Sequence, residues 1–215
     1  MADYLRKIKT DARGYFFYHC RIIKYKINKK VYSILTHITL LLKDIKVGKS
    51  SVFLGMPYFC RYPESVISIG NSCVFDSAKF SNPIGVDKCC IISTLTNNAE
   101  IHIGNRVGFS GVRIGCFKEI TIGDDCVIGA NVLITDSDWH PLDPDKRKEF
   151  GSSPAIKSIP VNIGNNVFIG VNSMILKGSE IGDNSIIGAG SVVSGVIPPN
   201  VIAAGNPCKV VKILS

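Results

Sequence analysis

The stretch Ile163-Gly164-Asn165-Asn166-Val167-Phe168-Ile169-Gly170 begins an unbroken step of six residues that continues through Ile175, Ile181-Gly182, Ile187-Gly188 and Val193. Neither a helix, which repeats near 3.6 residues, nor a plain strand, which repeats at 2, has that period. An aliphatic residue followed by glycine every six positions implies short strands joined by tight bends. Gly and Asn supply the backbone angles that branched residues resist. Such units stack into a β-solenoid, because each aliphatic side chain is buried only when a neighbouring coil covers it.

A second slot supports this reading. Four residues after each aliphatic come Val167, Ser173, Ser179, Ser185 and Ser191, all small or β-branched, as a narrow tapering interior requires. The same register runs upstream through Ile122-Gly123, Ile128-Gly129 and Ile134, with Cys126 and Val132 in the small slot. Fainter traces stand at Ile103-Gly104 with Phe109 and at Ile69-Gly70 with Phe75. The expected organisation is an N-terminal extension over 1–46, a solenoid over 47–195 with an excursion at 135–157, and a tail over 196–215.

Charge is distributed unevenly. Residues 1–50 hold twelve of the 25 basic side chains against Asp3, Asp11 and Asp44, so the remainder is close to neutral. The extension reads as two or three short basic helices. Its apolar run from Val31 to Leu42 is too short for a membrane span, which takes roughly 20 residues. His19 and Arg21 interrupt the Tyr15-Phe16-Phe17-Tyr18 cluster, so no secretory signal is expected. Two uses remain open: a cap on the solenoid, or a basic aromatic surface against an anionic membrane or lipid-linked substrate. No nucleic-acid module accompanies the charge, and nucleic acid is not an expected partner.

The eight cysteines show no Cys-x-x-Cys spacing, which argues against a zinc ribbon or redox motif. Cys73 and Cys126 fall in the small inward slot and are expected as reduced packing residues, pointing to the cytoplasm.

The hexad breaks between Ile134 and Ile163. The intervening text is polar, punctuated by proline, and opens with Trp139-His140-Pro141. A loop thrown from a rigid scaffold is where function concentrates. From here residues 135–211 resemble the sugar O-acetyltransferases of the hexapeptide-repeat superfamily: the galactoside, maltose and nodulation-factor enzymes and the polysaccharide-biosynthesis members. Besides His140-Pro141 and the hexads, the resemblance rests on Ile187-Gly188-Ala189-Gly190-Ser191-Val192-Val193, Ile197-Pro198-Pro199-Asn200 and Ala203-Ala204-Gly205-Asn206-Pro207-Cys208-Lys209. It implies an all-β fold, a left-handed parallel β-helix with an N-terminal helical extension. The hand comes from the resemblance alone, since the general crossover rule points the other way.

The resemblance further implies an acetyl-CoA-dependent O-acetyltransferase acting on a saccharide, assembled as a homotrimer with no metal. His140 is then the general base acting directly on the acceptor, an imidazole being able to accept and return a proton near neutral pH. Asp136 or Asp138 would orient its ring, unless both are solvated loop acids. Trp139 would offer a platform to a sugar face, unless it packs in the core, and Ser110 would hold the acceptor hydroxyl. Coenzyme A would lie between subunits against Gly188 and Ala189, with Lys209 and Lys212 facing its phosphates.

At two positions the family residue is absent. Val171 stands where a hydroxyl often helps the oxyanion, leaving that task to backbone N–H groups. Ser194-Gly195 replaces a Thr-Lys pair and removes one cofactor cation. Two rivals are weaker. A zinc enzyme of the γ-carbonic anhydrase type needs three histidines, and only His19, His37, His102 and His140 exist, two of them in the basic extension. A scaffold without activity gives no purpose to the His-Pro excursion or the lysine tail. The basic extension favours an intermediate of capsule, O-antigen or exopolysaccharide synthesis over a free sugar as acceptor.

Overall fold

The computed structural model describes residues 10–79, 81–148 and 156–214. Its strands fall into three sheets that the chain visits in rotation, so every fourth strand returns beside the first. The first sheet holds Lys46–Val47, Val66–Ile69, Glu100–Ile103, Glu119–Ile122, Val161–Ile163, Glu180–Ile181 and Val196–Ile197. The second holds Val52–Leu54, Val74–Asp76, Gly108–Ser110, Val127–Ile128, Phe168–Ile169, Ile186–Ile187 and Val201–Ala204, and closes with Lys209–Ile213. The third holds Tyr58–Cys60, Ile91–Thr94, Arg113–Cys116, Leu133–Thr135, Met174–Ile175 and Val192–Val193. All neighbours run parallel except the last pair in the second sheet.

The hexad is visible as columns. On the first sheet Ile69, Ile103, Ile122, Ile163, Ile181 and Ile197 stand in register, each buried on the one before. On the second, Phe53, Phe75 and Phe109 continue into Ile128, Ile169, Ile187 and Ala203. The upstream traces looked faint because aromatic rings occupy the aliphatic slot there. Phe53 stacks on Phe75 at 5.0 Å, and Phe75 on Phe109 at 4.8 Å. Each such buried side chain contributes on the order of 2 kcal/mol. Cys73 and Cys126 are fully buried in the small slot, and all eight cysteines are free thiols. Burial pushes the Cys126 thiol up to about 11.

Bends and edges are satisfied by side chains. Asn131, Asn166, Asn172 and Asn184 turn corners at φ between 55° and 59°, a region Asn tolerates better than branched residues. A ladder runs along the edge between the first and second sheets. Asn71, Asn105, Asp124, Asn165 and Asp183 each accept an N–H from the preceding coil at 2.6–2.9 Å. The third residue of each Ile-Gly-Asn or Ile-Gly-Asp unit therefore stitches one coil to the next.

The N-terminal extension differs from its expectation of two or three short helices. Among the described residues, Ala12–Leu42 is one continuous helix rather than a run of short ones, started by Asp11, whose carboxylate accepts the Gly14 N–H at 2.9 Å; residues 1–9 of the extension lie outside the described residues. Beyond Gly14 no Gly or Pro interrupts it, so nothing in the sequence ends it early. Its C-terminal part covers the first coil. Thr36 and Leu40 are buried, the His37 ring meets Phe53 edge-on at 5.4 Å, and Lys43 Nζ donates to the Phe59 carbonyl at 2.6 Å. At the other end the turn around Gly205 and the antiparallel strand Lys209–Ile213 lie on the final coil.

Candidate active site

Edges decide where chemistry can sit, because the outward face of each strand is short and flat. The chain leaves the coil at the edge between the third and first sheets, after Thr135, and resumes at Val161. Ser137 and Ser158 bridge the neck of the excursion, and residues 149–155 of it lie outside the described residues.

Asp136 roots the excursion. It is fully buried, and its carboxylate accepts the N–H groups of Phe117, Lys118 and Glu119 at 2.7, 2.6 and 2.8 Å. It neither orients the His140 ring nor stands in solvent; both sequence expectations fail for this residue. Its acceptors are spent on the bend of the previous coil, which a single loop carboxylate can bind across three successive donors. Together with burial, which is the larger cause, its charge pushes the Cys116 thiol well up. Asp138 pairs with Lys177 Nζ on the next coil, and its Oδ2 is buried with no hydrogen-bond partner among the described residues.

Trp139 turns back over the outside of the third sheet. At φ 63° it lies in the left-handed region, and its indole Nε1 donates to Thr135 Oγ1 at 2.9 Å. The ring meets Phe117 edge-on at 5.4 Å and rests on Gly115, where a Cβ would come within 2.5 Å of it. It is 43% exposed, so one side packs and the other faces outward. His140 follows, exposed at the tip of this turn.

Two coils further along the same edge, Ser194 and Lys209 line one shallow depression of about 210 Å³ with Gly195 and Cys208. Lys209 and Lys212 are three apart, which in a regular strand puts them on opposite faces. A bulge restores the phase. Lys209 pairs with Ala204 and Lys212 with Ile202, with the register shift between Ile202 and Ala203. Ala203 is fully buried, so Ile202 and Ala204 face out, and both lysines share that outer face.

The remaining candidates stand on the other side of the third sheet. Ser110, Gly188, Ala189 and Val171 all lie at its edge with the second sheet, one coil above another. The Gly188 carbonyl accepts from Ser173 Oγ at 3.1 Å and Ser191 Oγ at 2.6 Å, and a Cβ on Gly188 would meet Ala204 at 2.8 Å. The ridge is thus pinned from within, while Ala189 is exposed. Ser110 Oγ accepts from Asn82 Nδ2 at 3.1 Å.

Asn82 belongs to a second insertion, between Asp76 and Ile91, that sequence reasoning missed. Asp87 and Asn131 exchange two hydrogen bonds at 3.1 Å and hold it along this edge. The one available signal was the long gap between the Phe75 and Ile92 positions. The other histidines are scattered: His19 and His37 on the helix, and His102 on the first sheet between Ser68 at 2.8 Å and Glu100 at 2.8 Å.

Two family descriptions match the chain, a bacterial transferase hexapeptide of six repeats over residues 160–195 and a hexapeptide repeat of succinyl-transferase over 102–136. The galactoside O-acetyltransferase of Escherichia coli K12 is 47% identical over 115 residues, 53% of this chain and 54% of that protein. A putative lipopolysaccharide biosynthesis O-acetyltransferase of the same organism is 39% identical over 108 residues, 47% of this chain and 54% of that protein. The chain therefore spans about half the length of the curated relatives it matches. Among solved structures, a galactoside acetyltransferase in complex with coenzyme A superposes with a TM-score of 0.52 at 31% identity, covering 79% of this chain and 65% of that one. An N-acyltransferase from Bacillus cereus, bound to dTDP and 3-hydroxybutyryl-CoA, reaches 0.60 at 18% identity over 83% of this chain and 88% of its own, a likeness of fold alone.

Proposed function

We propose that this chain is a hexapeptide-repeat acetyltransferase that moves an acetyl group from acetyl-CoA to a saccharide hydroxyl, on a left-handed β-helix. The observation that carries this reading is the excursion edge. It presents an exposed histidine at one end and, two coils on, a depression bordered by Lys209, with Lys212 on the neighbouring outer face. In the reaction His140 takes the proton of the acceptor hydroxyl as its oxygen attacks the thioester carbonyl. The tetrahedral intermediate collapses by breaking the C–S bond, and the imidazolium returns the proton to the departing thiolate. Backbone N–H groups meet the oxyanion, since Val171 offers no hydroxyl. The relatives named as galactoside and lipopolysaccharide O-acetyltransferases support a saccharide acceptor, and we assign it to the intermediates of surface polysaccharide synthesis.

We further propose a homotrimer whose active sites lie between copies. Ser110, Val171, Gly188 and Ala189 stand on one edge of the third sheet and Trp139, His140 and Ser194 on the other. One copy does not unite them; a closed three-fold ring that sets the first edge of one copy beside the second edge of the next does. The outer positions of the second sheet supply apolar surface for such a contact, with Val74, Val127 and Phe168 exposed in register.

The long helix fits work at the cytoplasmic face of a membrane. Among the described residues no helix is long and apolar enough to cross one. Yet Phe16, Phe17, Ile23 and Ile27 are more than half exposed beside Arg13, Arg21, Lys24 and Lys26, the combination that holds a helix at an anionic interface. The test of function is thiol release from acetyl-CoA with a panel of saccharide acceptors. Acceptor-dependent release that His140→Ala abolishes supports the reading; release independent of His140 overturns the mechanism, and none with any acceptor overturns the activity.

A further inference from the structure

Asp76 stands one coil before Ser110 on the second sheet, in direct register with it. The rings of Phe75 and Phe109, one residue earlier in each strand, stack inside the core at 4.8 Å. Alternation then sends Asp76 and Ser110 outward on the same face, about 4.8 Å apart. Their surroundings are fixed rather than loose. The Asp76 carbonyl accepts the Gly111 N–H at 2.8 Å, and Gly111 holds the corner at φ 57°.

Two side-chain features at this rim have no structural purpose. The Oδ1 atom of Asp76 is buried and has no hydrogen-bond partner among the described residues, a condition native proteins seldom leave standing at a carboxylate. Ser110 Oγ already accepts from Asn82 Nδ2, so its own hydroxyl hydrogen is free to donate elsewhere. Burial holds the Asp76 carboxyl above the usual carboxylate range. Tyr25 on the N-terminal helix is near enough for Asp76 to add to the rise of its phenol, of which burial is the larger cause.

The set is a carboxylate acceptor, a hydroxyl donor and a carboxamide. A phosphate would be repelled by the carboxylate, whereas adjacent ring hydroxyls donate to it and accept from serine. We propose that Asp76, Ser110 and Asn82 form the saccharide-recognition site of this chain, with Asp76 accepting hydrogen bonds from ring hydroxyls and residues 81–90 setting which saccharide fits. The inference rests on the acetyl-transfer reading for the choice of a saccharide as ligand, but binding here needs no turnover.

The test is saturation-transfer NMR on the full chain with methyl glycosides of galactose, glucose and mannose, alongside calorimetry with coenzyme A. Wild type is expected to bind at least one glycoside. Asp76→Asn, which keeps the shape and loses the charge, is expected to weaken that binding by about tenfold with coenzyme A affinity unchanged, as expected for loss of a charge-assisted hydrogen bond. Asn82→Ala, in an insertion outside the core columns, is expected to weaken it several-fold. Glycoside binding that survives both substitutions, or a wild type that binds none of the three, overturns the site. Binding that depends on Asp76 in a protein that releases no thiol keeps this site and removes the acetyl-transfer reading, so the two failures are distinguishable.

Discussion

The two edges that flank the third sheet are built from the same hexad and behave in opposite ways. At the edge shared with the second sheet, the coils from Ser110 to Ala204 repeat without a break, and glycines let each bend rest directly on the next. At the edge shared with the first sheet, the chain departs for 25 residues between Thr135 and Val161 and is tied to the previous coil by the buried Asp136 carboxylate and to the next by Asp138 with Lys177. Beyond Asn131, which holds the earlier insertion through Asp87, the regular edge needs little more than small residues. An edge that releases a loop needs an anchor at its root, and Asp136 is that anchor.

The sharpest way to break this contrast is to remove the anchor. Asp136→Ala leaves the N–H groups of Phe117, Lys118 and Glu119 without their carboxylate acceptor and is expected to cost roughly 2–4 kcal/mol of stability. Ser110→Ala on the regular edge is expected to cost below about 1 kcal/mol. Denaturant titration of the two variants checks this; equal losses would erase the distinction between the edges.

Next in size is the catalytic consequence. His140 sits beyond the anchor and outside every core column, so His140→Ala is expected to preserve the melting temperature and cofactor affinity while lowering turnover by roughly 10² or more. A variant retaining half of wild-type turnover would strip the excursion edge of its chemical role.

The smallest effect sharpens the contrast at its far end. Because the bulge aligns Lys209 and Lys212 on one face, Lys209→Glu with Lys212→Glu is expected to raise KM for acetyl-CoA by about tenfold at low salt and leave kcat nearly unchanged. The difference from wild type should shrink as salt screens the phosphates. An unaltered KM would make the shared face incidental, and a collapse of kcat alone would move the lysines to the reacting centre.

What was legible in the sequence follows the same division. The columns could be read because successive faces of each coil repeat the same aliphatic slot every six residues, a local pattern that survives in text although the stacked partners, such as Ile163 and Ile181, stand a whole coil apart. The aromatic coils were half legible, since Phe75 and Phe109 fill the slot that Ile fills later. Asp136 could not be assigned, because its three partners lie 17–19 residues earlier and meet it only when the coil closes. Asp76 and Asn82 were hidden for a similar reason: Ser110 reaches them 34 and 28 residues away, across an insertion with no phase. The length of the helix Ala12–Leu42 was missed because its basic and aromatic residues mask an uninterrupted run of helix-compatible side chains. The bulge that aligns the two lysines leaves no trace in composition.

The central proposal is that one active site takes Ser110 from one copy and His140 from the next, and subunit complementation tests it most directly. Ser110→Ala and His140→Ala proteins, each impaired alone, would be unfolded together, refolded as a 1:1 mixture and assayed for acceptor-dependent thiol release. Random assembly of a cyclic trimer pairs an intact serine with an intact histidine at about one site in four, so recovery to about a quarter of wild-type activity is expected. Activity no greater than the mean of the two parent variants would contradict a site shared between copies and return the chemistry to a single chain.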